Sequence, residues 1–97
     1  MALRTIYGIV APNGAIVSGS GFAVSRTNNG EYQVQFSAQF SRLPAVVGSQ
    51  VMFGNEDEDT RDNVIFPFLT TNGFMAITGD SGGNHKDRNF AFIATGE

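Results

Sequence analysis

The chain has 97 residues, a formal charge of −3 and no cysteine. This length fits one domain with a single modest core, so residues 1–97 are treated as one domain. Its six Lys and Arg are scattered, which argues against binding nucleic acid or an anionic membrane surface. Without cysteine, disulfides and thiolate metal sites are excluded, and no apolar run approaches the roughly 18 residues of a membrane span.

The N-terminal residues give an expectation about location. Met1-Ala2-Leu3-Arg4 leads directly into a strand-like segment, without the apolar region of a classical signal peptide. We therefore expect synthesis in the cytoplasm. A place on a virion, or an extracellular or cell-surface place, would then require lysis, a secretion machine or assembly into a larger particle.

Short alternating segments and turns fill the first half of the chain. Strand-like pieces of residues 5–18 flank a turn at Pro12-Asn13-Gly14. Residues 22–25 and 31–36 alternate apolar with small or polar side chains, which is typical of half-buried strands. Between them, Thr27-Asn28-Asn29-Gly30 predicts a tight hairpin turn, because Asn and Gly tolerate positive φ.

The second half of the chain shows the same pattern of short predicted strands and turns. Residues 44–53 predict a long Val-rich strand, and residues 64–69 predict a strand that Pro67 places at an edge or a bulge. Thr70-Thr71-Asn72-Gly73 predicts a second hairpin turn, followed by a returning strand at 74–78 and a closing strand at 89–95. Residues 55–62 and 80–87 are predicted loops, the first acidic and the second rich in glycine.

These elements together predict the fold class. No window of eleven or more residues keeps helical apolar spacing along its full length. We therefore predict an all-β chain, a small antiparallel β-sandwich of six to seven strands, with a small barrel as the alternative. Both faces of residues 64–69 are apolar, and in so small a chain another subunit is expected to cover such a second face.

One string matches the surroundings of a catalytic serine. Gly79-Asp80-Ser81-Gly82-Gly83 is the sequence around the nucleophile of chymotrypsin-like proteases. Such a serine needs a histidine far upstream and an orienting carboxylate, and the single histidine, His85, follows Ser81 by four residues. We interpret the string as a glycine-rich loop and predict that the protein is not an enzyme.

Two further groups raise the question of a metal. Residues 55–62 supply five carboxylates, and clustered oxygens suit calcium, but the central glycine and final glutamate of an EF-hand are missing. A solvated loop is the alternative, so no cofactor is predicted and calcium is kept open. His85 lacks the partners of a zinc site, so it is either a plain loop residue or a hydrogen-bonding partner for a polar ligand.

Three segments, in order, resemble H-type lectin domains. Tyr32-Gln33-Val34-Gln35-Phe36, then Phe40 and Pro44-Ala45-Val46-Val47, is similar to their opening region. Thr70-Thr71-Asn72-Gly73-Phe74 is similar to their T-x-x-G-F hairpin. Phe90-Ala91-Phe92-Ile93-Ala94-Thr95-Gly96 is similar to their closing strand, with Phe92 in place of tryptophan. The resemblance covers Gly19 to Gly96, and residues 18–24 also resemble domains at the ends of phage tail fibres and of bacterial collagen-like proteins.

The resemblance implies a six-stranded sandwich that assembles as a homotrimer, with a sugar site near the subunit boundaries. In H-type lectins that site uses the loop between the last two strands and an arginine upstream of the Gly-Phe hairpin. Here these elements correspond to residues 80–87 and to Arg61. The chain has no tryptophan, so Phe or Tyr7 would supply any stacking ring. The candidate ligand-binding residues are Arg61, Asp80, Asn84, His85 and Asp87.

Two functions follow as expectations. The first is a trimeric, carbohydrate-binding module that recognises cell-surface glycans, as part of a phage-type fibre or as a bacterial lectin. The second is a structural domain that trimerises or caps a fibre and binds no ligand. The partners expected are a surface glycan and further copies of the chain, with neither nucleic acid nor membrane insertion.

Overall fold

The computed structural model describes residues 2–54 and 59–97, which form eight strands and, within those residues, no helix. Accordingly, no helix long and apolar enough to cross a membrane occurs among them. The strands are β1 (Arg4–Val10), β2 (Ile16–Gly19), β3 (Phe22–Asn28), β4 (Glu31–Phe36), β5 (Ala45–Gln50), β6 (Asn63–Ile65), β7 (Gly73–Gly79) and β8 (Phe90–Gly96).

The strands form two four-stranded sheets. Sheet 1 has the order β2-β1-β8-β5, and sheet 2 has the order β3-β4-β7-β6. Every neighbouring pair is antiparallel. The two sheets face one another across a single core, as in other sandwiches whose strands are apolar on one side. The predicted all-β antiparallel sandwich is therefore confirmed.

The inward positions of both sheets are apolar, as period-two alternation requires. Five of the nine phenylalanines are buried there, and Phe40 of the segment 37–44 is buried beside them. The buried apolar set is Ile6, Val10, Phe22, Tyr32, Val34, Phe36, Phe40, Val64, Phe74, Ala76, Phe90, Phe92 and Ala94.

Phe92 occupies the middle of this core because its neighbours across the sheet have no side chain. It pairs in register with Gly8 on one side and Gly48 on the other. A Cβ at Gly8 would collide with the ring of Phe22, and a Cβ at Gly48 with the Ala91 carbonyl. The space left open lets Phe92 meet Phe22 edge to face, with ring centroids 5.0 Å apart.

The sandwich has two distinct ends. The loop end carries the turn at 11–15, the β3–β4 turn, residues 51–62 as far as described, and the loop 80–89. The terminal end carries both chain termini and residues 37–44 and 66–72. At the terminal end Arg4 donates to the carbonyls of Ala38 and Gln39, and its guanidinium lies 4.1 Å from the ring centroid of Phe40.

The strand count differs from the prediction of six to seven. The chain before residue 20 forms two strands, β1 and β2, with the predicted Pro12-Asn13-Gly14 turn between them. β2 is four residues long, and the β1–β2 register shifts at Ile9/Val10. That irregularity removes the clean alternation by which β2 could have been counted as a separate strand.

Two predicted strands are shorter than expected. β5 ends at Gln50 rather than at residue 53, and β6 ends at Ile65 rather than at Leu69. β6 does lie at the edge of sheet 2, as predicted. It stops before Pro67, which has no N–H to donate, and Phe68 then adopts a left-handed φ of 58°. Phe66 and Leu69 pack against the core, whereas Ile65 and Phe68 are exposed, so residues 64–69 keep apolar side chains on both sides, as predicted.

Candidate functional site

A cleft of about 290 Å³ lies on the outer side of sheet 2 at the loop end. We call it the β6–β7 cleft, because Ile65 of β6 and Ile77 of β7 pair in register beneath it. Polar groups from the loop 80–85 and from Arg61 surround this apolar strip. The lining residues are Arg61, Asn63, Ile65, Ile77, Gly79, Asp80, Ser81, Gly83 and His85.

The carboxylate of Asp80 shapes the loop on one side of the cleft. Its Oδ1 accepts hydrogen bonds from the backbone amides of Gly82 and Asn84, each at 2.9 Å. The Asn84 amide is the main reason that the pKa of Asp80 lies below its usual value, with partial burial acting against it. The Asp80 amide in turn donates to the Asn84 carbonyl. These bonds close the exposed loop on itself and fix its shape.

Gly30 fixes this loop to the β3–β4 turn. Its φ is 70°, and a Cβ there would come within 2.7 Å of the Lys86 amide nitrogen and 2.6 Å of the Thr78 carbonyl. Glycine is therefore required on both conformational and steric grounds. The Gly30 carbonyl accepts from the Thr78 amide, and the Thr78 carbonyl accepts from the Lys86 amide.

Asp87 locks the same junction from inside. Its carboxylate accepts from Arg26 at 2.9 Å and from the Gly30 amide at 2.7 Å. Burial tends to raise the pKa of Asp87, but the bonds from Arg26 and Gly30 outweigh it and the net pKa is lowered. With these oxygens engaged by the fold, Asp87 acts as an anchor and does not line the cleft.

Tyr32 completes this anchor. Its hydroxyl donates to the Pro12 carbonyl at 2.7 Å and lies 3.4 Å from Asp87. Burial, followed by the charge of Asp87, raises the pKa of Tyr32 to about 12. The Tyr32 hydroxyl thus links the turn at 11–15 to Asp87, and the loop 80–87 is held in place at its C-terminal end.

His85 points into the cleft from a bridge formed with Gly79. Its Nδ1 lies 3.1 Å from the Glu31 carboxylate. A carboxylate only accepts, so Nδ1 carries the hydrogen of that bond. Within residues 2–54 and 59–97, no hydrogen bond engages Nε2. The neutral ring therefore offers an acceptor to the cleft and the protonated ring offers a donor.

The opposite wall is formed by Arg61, which belongs to the segment 59–62. Arg61 donates from Nε and Nη2 to the two carboxylate oxygens of Asp59, at 3.1 and 2.8 Å. The bonds from Arg61, with a smaller contribution from Ser81, lower the pKa of Asp59.

Asp62 holds this wall to the sandwich. It pairs with Arg88 at 2.9 Å, and the side chains of Asp62 and Arg88 are only 4% and 14% exposed.

Gln50, beside this pair, links the two sheets. Its side-chain amide donates to the carbonyls of Asn63 and Gly79 and so ties sheet 1 to sheet 2. Its Oε1 is buried and has no hydrogen-bond partner among the described residues.

The structure separates the five candidate residues into groups. It brings Arg61, Asp80 and His85 to one cleft. Asn84 lies just outside and braces Asp80, and Asp87 faces the β3–β4 turn. Sequence reasoning missed Asn63, Ile65 and Ile77 as lining residues. The signal was present in the alternation of β6 and β7, which places the two isoleucines on the outer side of paired strands.

Ser81 and His85 do not bond to each other among the described residues. The His85 ring bonds to Glu31 instead. A nucleophile and its base need to bond to each other. The arrangement is that of a loop in which polar groups are fixed one by one.

The calcium site considered at residues 55–62 lies partly outside the described residues, because residues 55–58 are not described. The described carboxylates of this segment, Asp59 and Asp62, are each paired with an arginine. They border a hollow of about 610 Å³ beside β5. Among the described residues, no three carboxylate or imidazole groups come together in a way that could hold a metal ion.

The groups around the β6–β7 cleft can form directed hydrogen bonds to a small polar ligand. Every basic side chain nearby already has a carboxylate partner: Arg61 has Asp59, Lys86 has Asp80, and His85 has Glu31. The cleft therefore offers donors and acceptors without an excess positive charge. Its floor of two isoleucines offers an apolar surface to the same ligand.

Comparison with models of protein families, with curated proteins and with solved structures finds no significant match.

Proposed function

We propose that this protein is a carbohydrate-binding module that recognises cell-surface glycans through the β6–β7 cleft. One observation carries the proposal: polar groups of Arg61, Asp80 and His85 surround an apolar strip of Ile65 and Ile77. A sugar ring has hydroxyls at its rim and apolar C–H faces, so it needs both kinds of surface. The isoleucine pair takes the place of a stacking aromatic ring.

The charge balance of the cleft favours a neutral sugar. Each nearby cation is compensated by a carboxylate, and Asp80 adds an acceptor at the rim. An anionic sugar would meet no unpaired positive charge among the described residues and would lie close to carboxylates. Hydroxyls, in contrast, bind well to paired charged groups, because each hydroxyl both donates and accepts.

Multivalency would make a weak site effective. A shallow cleft binds one sugar weakly, since few of the ligand's atoms are buried. We propose that the chain acts as a homotrimer, as the resemblance to H-type lectins implies, so that three clefts meet a surface with repeated glycans. Linked sites of this kind can gain about 10²–10⁴ in avidity over a single site. A place on a virion or on a cell surface fits this use.

A glycan array of neutral and sialylated sugars, together with cell-wall sugars and lipopolysaccharide, tests the proposal. Arg61→Gln is expected to weaken binding by roughly tenfold or more, since it removes a charged donor from the rim. Arg42→Gln is the matched control. Arg42 is 75% exposed, against 73% for Arg61, and it lies at the terminal end. Flat responses to every glycan, or equal binding by Arg61→Gln and the wild type, would refute the proposal.

The second candidate is a structural domain that trimerises or caps a fibre and binds no sugar. The outer face of sheet 1, which is apolar and exposed at its centre, favours it: Tyr7, Val47 and Ile93 are all about half exposed or more. This candidate predicts stable assembly with no glycan response. The array and a measurement of solution mass separate the two candidates.

A further inference from the structure

The outer face of sheet 1 has no charged residue at nine neighbouring positions. Its centre is the row Tyr7–Ile93–Val47, in register across β1, β8 and β5. These three side chains are 55%, 48% and 64% exposed. The rows on either side are Thr5–Thr95–Ala45 and Ile9–Ala91–Ser49. A hollow of about 390 Å³ lies over the central row.

The outer face of sheet 2 is mixed. The polar side chains of Ser25, Gln33 and Gln35, with Glu31 beside the cleft, lie next to the apolar side chains of Ala23, Met75, Ile77 and Ile65. Amide and hydroxyl groups of this kind are normal for a solvated face. The two sheets therefore share one core but are not equivalent on the outside. Sheet 1 has the composition of a face that is covered in the working protein.

We propose that a second copy of this chain covers the outer face of sheet 1. The placement of charge points to this occupant. Five of the six ion pairs among the described residues lie at the loop end, and the sixth lies at the terminal end. Two copies that each carry −3 repel least when their uncharged faces meet and their charged ends stay in water. A charged foreign partner would find no complementary group on this face.

The size of the face also fits self-association of limited strength. Three strands about 4.8 Å apart and five residues about 3.4 Å apart give a flat footprint of roughly 250 Å². Standard interfaces bury about 800 Å² per partner, so side-chain relief and contacts at the rim must supply the rest. The exposed Val17 on the adjoining β2 is available for this. We therefore expect assembly that depends on concentration rather than a permanent complex.

This inference deepens the proposed function, because it names a surface through which copies of the proposed module would associate. It does not depend on the ligand. Glycan binding is a property of the β6–β7 cleft on sheet 2, on the other side of the sandwich. Loss of one can therefore be measured while the other is retained.

The test is solution mass by sedimentation over about a hundredfold range of concentration. The wild type is expected to rise from one chain mass to a defined multiple, and Val47→Lys is expected to stay at one chain mass. Gln35→Lys is the matched control, because it adds the same charge to the exposed side of a central strand of sheet 2. It should assemble like the wild type. A wild type that remains monomeric at the highest concentration, or a Val47→Lys variant that assembles fully, would overturn the inference.

A second measurement needs no variant. A soluble paramagnetic agent relaxes exposed methyl groups, and the effect on Ile93 should fall at least twofold on assembly. Ile65 on sheet 2, of similar exposure at 55%, should keep its effect. Equal changes at the two isoleucines would refute the assignment of the face. If Val47→Lys is monomeric and still binds free sugar, the cleft and the assembly surface are independent. A wild type that assembles but binds no sugar would count against the cleft and leave the assembly surface supported.

Discussion

The two ends of the sandwich are stabilised by different forces. At the loop end, ion pairs and hydrogen bonds converge on a few side chains, among them the Arg26–Asp87 and Arg88–Asp62 pairs. At the terminal end the one ion pair among the described residues, Arg42–Glu97, is 3.8 Å long and exposed, and aromatic side chains pack to close this end. The two ends therefore differ in what stabilises them. Apolar burial stabilises the fold at the terminal end, while directed polar bonds hold the candidate site in shape at the loop end.

The largest expected effect lies at the terminal end. Phe40 is fully buried, with its ring centroid 5.0 Å from that of Phe36. Phe40→Ala should lower the free energy of unfolding by about 4 kcal/mol, because it removes a large apolar side chain and leaves a cavity. Urea denaturation measures the change. Phe68→Ala is the control: Phe68 is 77% exposed, and its loss should cost less than about 0.5 kcal/mol. Similar costs for the two variants would contradict this account of the terminal end.

The next effect lies at the loop end, at its most buried ion pair. Arg88→Met leaves the Asp62 carboxylate buried without a counter-charge and should lower the free energy of unfolding by about 3 kcal/mol. Arg42→Met removes the exposed partner of Glu97 and should cost about 0–1 kcal/mol. Thermal denaturation of both variants gives the comparison. If they melt at the same temperature, the Asp62–Arg88 pair does not hold the wall of the cleft as described.

A smaller effect, dependent on pH, is expected at Asp87. Asp87→Asn weakens the bonds from Arg26 and Gly30 and should cost about 1–2 kcal/mol at pH 7. The folded-state pKa of Asp87 is lowered, so its carboxylate stabilises the fold above its unfolded pKa of about 3.9. That stabilisation is lost as the pH falls through the lower, folded value. Denaturation between pH 7 and pH 2 should therefore show the difference between variant and wild type shrinking below about pH 4. A constant difference across the range would exclude this role.

The fold was largely predictable from the sequence, because alternation and turn chemistry are local. The β4 pattern and the Pro12-Asn13-Gly14 turn identify their elements without knowledge of the rest of the chain. The end of β6 was not predictable. The sequence of residues 64–69 keeps the spacing of a strand, but the missing N–H of Pro67 and the left-handed φ of Phe68 end the pairing of β6 with β7.

The candidate site was predictable only in part. The polarity of the loop 80–87 marks it as a place where a ligand could bind, and Arg61 was placed by resemblance alone. Which groups are engaged by the fold depends on contacts between distant segments. The carboxylates of Asp80 and Asp87 look alike in sequence, yet one lines the cleft and the other accepts a bond from Gly30, 57 residues away. No local pattern contains that information.

The smallest expected effect on global stability is at Asp80, and it distinguishes the rim of the cleft from the rest of the fold. Asp80→Ala removes the acceptor for two amides of an exposed loop, while the anchor at Asp87 and the buried core stay intact. We therefore expect no measurable shift in the urea midpoint, but faster hydrogen exchange at the amides of Gly82 and Asn84. Asp80→Asn keeps one acceptor oxygen and should give intermediate exchange.

The amide of Lys86 supplies the internal control for that experiment, since it donates to the Thr78 carbonyl and does not depend on Asp80. If its exchange rate rises together with that of Gly82, the loop opens as one unit and Asp80 supports the whole loop. If only Gly82 and Asn84 change, Asp80 shapes the rim of the cleft alone. In that second case the polar network at the loop end consists of two independent parts. The anchor at Asp87 stabilises the fold, and the rim at Asp80 can change in sequence without destabilising the core.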